Sequence, residues 1–270
     1  MRLIDSHCHV NADRFADDAE LVLGAARLAG VERILVPGWN LASCERALEL
    51  VDRMPWLDAA VGVHPHDAAK VDDAGWERIR AWAEDSRVVA IGETGLDYDR
   101  VFSPIPDQLT NLRRNLALAA DTGKPAILHC RSRDGQRDAQ DALLDEIRAL
   151  GSTPPPIVVH SFSGPLDYAK AMLGLGAAIS FSGLVFRAGE EASAEVARLV
   201  PADRLLVETD SPFLTAPGAP RKRNEPAFVG ITAAWVAVRR GTAEAASGDA
   251  LVAAYDRTFP HGAAGRLTGA

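Results

Sequence analysis

Apolar residues along the chain fall into short runs at regular intervals: 2–5, 33–36, 57–63, 88–92, 126–129, 157–160, 177–181 and 205–208. Most are rich in Val, Ile and Leu. Near-continuous apolar runs, with little in/out alternation, are what parallel strands covered on both faces require. Between the runs the spacing turns helical. Residues 18–28 are Ala/Leu-rich and stop at Gly30; 43–53 put Ala47, Leu50 and Val51 on one face; 109–121 carry Leu112, Leu116 and Ala119 and stop at Gly123; 136–150 and 190–199 behave alike. Glycine accepts positive φ and so ends a helix. Eight strands alternating with helices predict a single-domain α/β fold over residues 1–270, a (β/α)8 TIM barrel, which takes about 250 residues. A doubly wound open sheet is the alternative that alternation leaves standing. No repeat or linker marks a boundary, and Pro154-Pro155-Pro156 reads as a stiff approach to the sixth strand.

Composition narrows the class. With 47% hydrophobic and 24% charged residues, the chain is not intrinsically disordered. Three cysteines exclude a disulfide scaffold and suit a reducing compartment. No run approaches the ~18 apolar residues of a membrane span, and Arg2 and Asp5 interrupt the N-terminus before any apolar signal core. A cytoplasmic protein without membrane contact is expected. The net charge of −8 excludes a generally basic nucleic-acid coat, but not a nuclease with a local basic rim.

Six of the seven histidines, His7, His9, His64, His66, His129 and His160, stand at or just past the end of a predicted strand. In a TIM barrel those ends build the active site. His7 and His9 lie two apart and share a strand face. Glu93 stands between glycines at the end of the fourth run, and a buried glutamate there needs an arginine or a cation. His129, His160 and Asp210 end three further strands, with Glu208 on the face of Asp210, so that one of these two acids is expected as a ligand and the other as support behind it. Each residue alone has an ordinary structural reading; four imidazoles and two carboxylates at one rim make a cage. Six ligands exceed one tetrahedral site and suit two adjacent divalent metal ions sharing a carboxylate, with mixed N/O donors suited to Zn, Mn or Fe. None of the four lysines ends a strand, which disfavours a carbamylated-lysine bridge and leaves that place to Glu93.

These motifs together resemble the TatD family of metal-dependent deoxyribonucleases, within the amidohydrolase-like barrels. The matching stretches are Asp5-Ser6-His7-Cys8-His9, Gly62-Val63-His64-Pro65-His66, Gly92-Glu93-Thr94-Gly95-Leu96-Asp97-Tyr98, His129-Cys130-Arg131, His160-Ser161-Phe162-Ser163-Gly164, Glu208-Thr209-Asp210-Ser211-Pro212 and Arg223-Asn224-Glu225-Pro226. They agree in order and spacing from residue 5 to 226. The resemblance implies one metal held by His7, His9, Glu93 and Asp210, and a second by His129, His160 and the shared Glu93. It implies DNA phosphodiester hydrolysis, in some members as a 3′→5′ exonuclease helped by Mg²⁺ or Mn²⁺. Two divalent ions, Mg, Mn or Zn, are thus the expected cofactors. The chain departs from the family pattern near its end: members usually carry an Asn before a Leu-Phe pair in the last helix, whereas Tyr255-Asp256-Arg257-Thr258-Phe259 stands here without Asn.

On the substrate side, Arg131 follows His129 by two, so its guanidinium is expected to grip a phosphate; the alternative is a salt bridge to Asp134 or Asp138. His64 is expected to face substrate, more so than His66; the alternatives for the pair are support behind a ligand or turn residues bracketing Pro65. Arg221, Lys222 and Arg223 form a basic rim that steers a phosphate backbone, ordered by Asn224-Glu225-Pro226. The five tryptophans are scattered and suggest no base-stacking platform. Cys8 and Cys130 alternate away from their ligand neighbours, and Cys44 reads as a helix residue without a role. The expected mechanism is DNA phosphodiester hydrolysis by a monomer, with Asp210 orienting or deprotonating a metal-activated water and Glu93 shared between the metals. Hydrolysis of an amide, ester or lactone by the same cage is the alternative, and a non-catalytic metal-binding protein a third.

Overall fold

In the computed structural model of the chain, which describes residues 1–220 and 223–260, the apolar runs become eight parallel strands. They are β1 (Leu3–Asp5), β2 (Val31–Pro37), β3 (Leu57–Val61), β4 (Val88–Asp97), β5 (Ala126–Arg131), β6 (Ile157–Val159), β7 (Ala178–Phe181) and β8 (Leu205–Val207). Their spatial order is their chain order. The Ser6 N–H donates to the Val207 carbonyl at 3.0 Å and joins the last strand to the first. Strand residues such as Ile4, Ile34, Ala60, Ile91, Leu128 and Leu206 are fully buried, as a two-faced parallel sheet demands. The fold is a single-domain (β/α)8 barrel, not an open sheet.

The helices follow each strand: α1 (Ala19–Leu28), α2 (Leu41–Arg53), α3 (Asp73–Ala83), α4 (Ile105–Thr122), α5 (Asp138–Ala149), α6 (Leu166–Gly174), α7 (Ala192–Leu199), α8 (Val229–Arg240) and α9 (Glu244–Thr258). Local chemistry sets their ends. Asn40 and Ser43 form a reciprocal capping box at the start of α2, and α4 stops at Gly123 with φ +66°. No helix among the described residues is long and apolar enough to cross a membrane.

Strand four differs from its sequence expectation. It continues past Gly92 to Asp97, and its register with β5 shifts between Ile91 and Thr94. Gly92 and Gly95 have φ of +145° and +133°, and a Cβ on Gly95 would overlap the His129 carbonyl. The irregular stretch places Glu93 within the strand, not at its end. β1, β6 and β8 are shorter than their apolar runs, so His7, His9, His160 and Asp210 stand on the segments just beyond them.

At the opposite end, α9 packs on the beginnings of β1 and β8. A Cβ on Gly248 would lie 2.5 Å from the Arg2 carbonyl, and the Tyr255 hydroxyl donates to Asp58 of β3 at 2.8 Å. The atypical last helix therefore closes the floor of the barrel, away from the histidines.

Candidate metal centre

The segments beyond β1 and β8 are laced together. Asp5, fully buried, accepts hydrogen bonds from the Thr209 hydroxyl (2.6 Å), the Thr209 N–H (3.0 Å) and the His7 N–H (3.3 Å). The Asp210 N–H donates to the His7 carbonyl at 2.9 Å, and the His9 N–H to the Ser211 carbonyl at 2.8 Å. Burial pushes the Asp5 carboxyl up to about 8, against the pull of those three donors. Asp210 itself has φ +55°, held in the left-handed region by this lacing.

Two donor groups result, one on each oxygen of Glu93. On Oε2, the Nε2 atoms of His7 and His9 stand at 3.4 and 3.5 Å, and 3.1 Å from each other. Asp210 Oδ1 lies 3.3 Å from His9 Nε2 and 3.9 Å from His7 Nε2. On Oε1, His160 Nε2, His129 Nδ1 and His64 Nε2 stand at 2.9, 3.2 and 3.3 Å. The His129 and His160 nitrogens are 3.5 Å apart. Donors held about 2.0–2.2 Å from a tetrahedral cation lie about 3.3–3.6 Å from one another, so both groups have the spacing that a divalent ion requires. The Nδ1 atoms of His7 and His9 are buried without a protein partner, leaving Nε2 as the engaged face of both rings. The donor set fits divalent metal.

Residues 4–260 match the family described as TatD related DNase. The chain belongs to the TatD family. It is 36% identical over 246 residues to the 3′-5′ ssDNA/RNA exonuclease TatD of Erwinia billingiae (strain Eb661), covering 88% of this chain and 92% of that protein. It is 34% identical over 235 residues to the "Uncharacterized metal-dependent hydrolase YabD" of Bacillus subtilis (strain 168), covering 87% and 90%. Among solved structures, the TatD homolog YJJV from Escherichia coli K12 superposes with a TM-score of 0.86 at 30% identity, covering 96% of this chain and 98% of that one. This TatD-family chain is accordingly an enzyme, a metal-dependent hydrolase acting on ester bonds.

Charge within the TatD-family cage follows from burial and neighbours. Burial alone would raise the Glu93 pKa, but His64, His160 and His129 outweigh it and hold the carboxyl well below its ordinary value. For Asp210, burial is likewise outweighed, first by the His9 hydrogen bond, and the carboxyl stays ionised. Burial lowers His7, with His160 adding to it, and lowers His64 to about 4. His129 and His160 go the other way. Burial opposes the imidazolium in both, yet Asp97 and Glu93 raise His129, and Glu93 and Glu208 raise His160 well above the usual range.

The structure gathers His7, His9, Glu93, His129, His160 and Asp210 into this one cluster. It adds His64, which the sequence placed toward substrate and whose Nε2 instead faces Glu93. Asp97, without an assigned role, and Glu208, expected either as a ligand or as support behind one, hold ring orientations. Asp97 Oδ2 accepts from His129 Nε2 (3.2 Å) and His66 Nε2 (2.8 Å), and Glu208 Oε1 from His160 Nδ1 (3.2 Å). Each leaves the other ring nitrogen aimed at Glu93, the arrangement by which carboxylates fix metal-ligating histidines. The spacing of Asp97, four residues after Glu93 on the same strand, carried that signal.

Arg131 is partly exposed with Nη1 3.8 Å from Asp97 Oδ2, so its neighbour is Asp97 and not Asp134 or Asp138. Arg223 corrects the basic-rim expectation. Its Nη atoms hold Asp18 at 2.7 and 2.9 Å, Glu225 at 2.8 Å and the Arg14 carbonyl at 2.8 Å, and it lies over the Phe15 ring, which makes it a loop anchor. Arg221 lies outside the described residues.

Proposed function

We propose that this enzyme hydrolyses phosphodiester bonds in DNA, releasing nucleotides from a 3′ end, as a monomer using two divalent cations. The observation that carries the reading is Glu93, whose two oxygens each face a separate group of imidazoles. His7, His9, Glu93 Oε2 and Asp210 would hold one cation; His129, His160 and Glu93 Oε1, with His64 alongside, the other. Imidazole and carboxylate donors suit Mn or Zn better than Mg. When bound, such a pair supplies Lewis-acid polarisation of a phosphoryl oxygen and a water acidified toward neutrality.

The chain's own residues do the rest. Asp210 is held ionised and is the base that accepts the proton of the attacking water. Once loading has displaced their protons, Asp97 and Glu208 would keep His129 and His160 in the tautomers that turn a lone pair toward the cation beside Glu93. Arg131, partly exposed beside Asp97, has donors left for a non-bridging phosphate oxygen. The 3′→5′ direction and the nucleic-acid substrate are supported by the name of the Erwinia relative, and the donor set needs no residue from a second subunit.

The test is cleavage of a labelled single strand by chelator-treated protein before and after Mn²⁺, Zn²⁺ or Mg²⁺ is restored, beside a panel of amides and lactones. Restored, stepwise shortening from the 3′ end is the expected result. Full-rate cleavage after chelation, or turnover confined to the amide and lactone panel, would sink the reading.

A further inference from the structure

Two large aromatic side chains stand exposed at the barrel mouth where core-forming residues would be hidden. Phe102 is 64% and Phe213 52% exposed. Phe102 lies past the end of β4, its ring edge-on to His66 at 4.7 Å. Phe213 lies past the end of β8, edge-on to His9 at 6.1 Å. In an eight-strand ring of consecutive order, β4 and β8 are four strands apart. The two rings therefore flank the metal centre from opposite sides.

Neither loop is slack. Val101, the residue before Phe102, and Leu214, the residue after Phe213, both have φ +49°. For a β-branched or bulky residue this backbone is strained and persists only where surrounding contacts impose it. The contacts are present. Asn224 Nδ2 donates to the Phe213 carbonyl at 2.7 Å and to the Thr209 carbonyl at 2.9 Å, tying the ring to the segment that carries Asp210. Gln108 Nε2 donates to the Ser103 and Asp97 carbonyls, and the Ser103 hydroxyl to the His66 carbonyl at 3.0 Å, tying Phe102 to the segment that carries Asp97 and His66. Exposed rings on loops pinned to a catalytic cage are preorganised to be covered by a flat apolar ligand. Each of the five tryptophans has an arginine against one ring face.

We infer that Phe102 and Phe213 are base-stacking platforms on either side of the scissile phosphate, the residues that engage a strand by its base faces without regard to sequence. The inference rests on the phosphodiesterase reading above and adds the elements that select a base-bearing strand. A base paired in a duplex offers no free face to such a ring. Stacking tolerates any base, because every base has a π-face, and Arg131 stands at the same mouth for the phosphate.

The experiment compares equilibrium binding of oligothymidylate with that of the same backbone carrying abasic sugars, both as phosphorothioates to slow cleavage, in the Mn²⁺-loaded protein. Wild type is expected to prefer the base-bearing strand. Phe102→Ala and Phe213→Ala should each shrink that preference about 5- to 150-fold, and Phe→Trp at either position should keep it. Equal affinity of wild type for the two strands, or a preference unchanged in both alanine variants, overturns the inference. Should no phosphodiester be cleaved while the base preference and its loss in the variants persist, the hydrolytic reading falls and the platforms stand.

Discussion

Asp58 on β3 and Glu93 on β4 are carboxylates on neighbouring strands, both nearly inaccessible to water. Burial of either is expensive unless partners replace the lost hydration. Asp58, at the floor of the barrel, accepts a hydrogen bond from the Tyr255 hydroxyl of α9. Glu93, toward the mouth, is met by five imidazoles. A phenol has a proton to give and settles the account of Asp58 in a fixed way. Imidazoles titrate, and their nitrogens converge at distances that suit a cation as well as a proton. Burial of an acid therefore does not mark a functional site; the chemistry of what surrounds it does.

The contrast breaks most visibly at Glu93. Glu93→Gln keeps the shape but removes the shared charge, and catalysis should fall by more than the about 10- to 100-fold that losing a carboxylate behind a ligand costs, with the far-ultraviolet circular dichroism unchanged. Metal content measured on the purified variant should fall with it. Retained activity at wild-type metal content would show that the two donor groups do not act through this carboxylate. The next effect belongs to the carboxylates behind the rings. Asp97→Asn and Glu208→Gln free His129 and His160 to rotate or change tautomer, and each should weaken metal affinity about 10- to 100-fold. Titration of the chelated protein with Mn²⁺ reads this directly, and unchanged affinity in both would make them packing groups.

Acidity sharpens the same comparison. His160 is held well above, and His129 above, the ordinary imidazole range, because acidic neighbours outweigh burial. A cation needs the lone pair that the proton occupies. Loading must displace those protons, so affinity rises with pH, about tenfold per unit for each proton released, and levels off above the folded-state pKa values. His64, lowered to about 4, and His7, also lowered, are already neutral near pH 7 and release none. Calorimetry in buffers of different ionisation enthalpy counts the protons. Loading that tightens toward acid pH would contradict this assignment.

Much of this was legible along the chain because a closed barrel turns sequence order into spatial order. Short Val/Ile/Leu runs fixed the strands, and residues at their ends had to meet at one rim. The six donors are legible for that reason. The places of His64 and Asp97 were less so, since they depend on how far β4 continues past Gly92, and positive-φ glycines permit that continuation without announcing it. Arg223 shows the converse limit. A basic triplet beside a strand end reads as a phosphate rim, yet Asp18, distant in sequence, occupies its guanidinium. The exposed phenylalanines are invisible to periodicity, because nothing local distinguishes a Phe on a rigid mouth loop from one in the core.

The smallest effect is expected at the floor. In the chain's last helix, Tyr255 reaches across to Asp58. Burial raises the tyrosine hydroxyl pKa well above its ordinary value, and the adjoining carboxylate adds to that, so it remains a donor at any pH the enzyme meets. Tyr255→Phe removes one donor from a buried carboxylate that keeps a further partner. A loss of about 1 kcal/mol is expected, the low end for a buried group left short of a hydrogen bond, read as a lowered urea midpoint with an unchanged slope. Turnover per folded molecule should not move, because α9 touches the beginnings of the strands and the cage stands past their ends. A fall in turnover at full folding would mean that the two ends of the barrel are coupled, and that the floor carboxylate belongs with Glu93 after all.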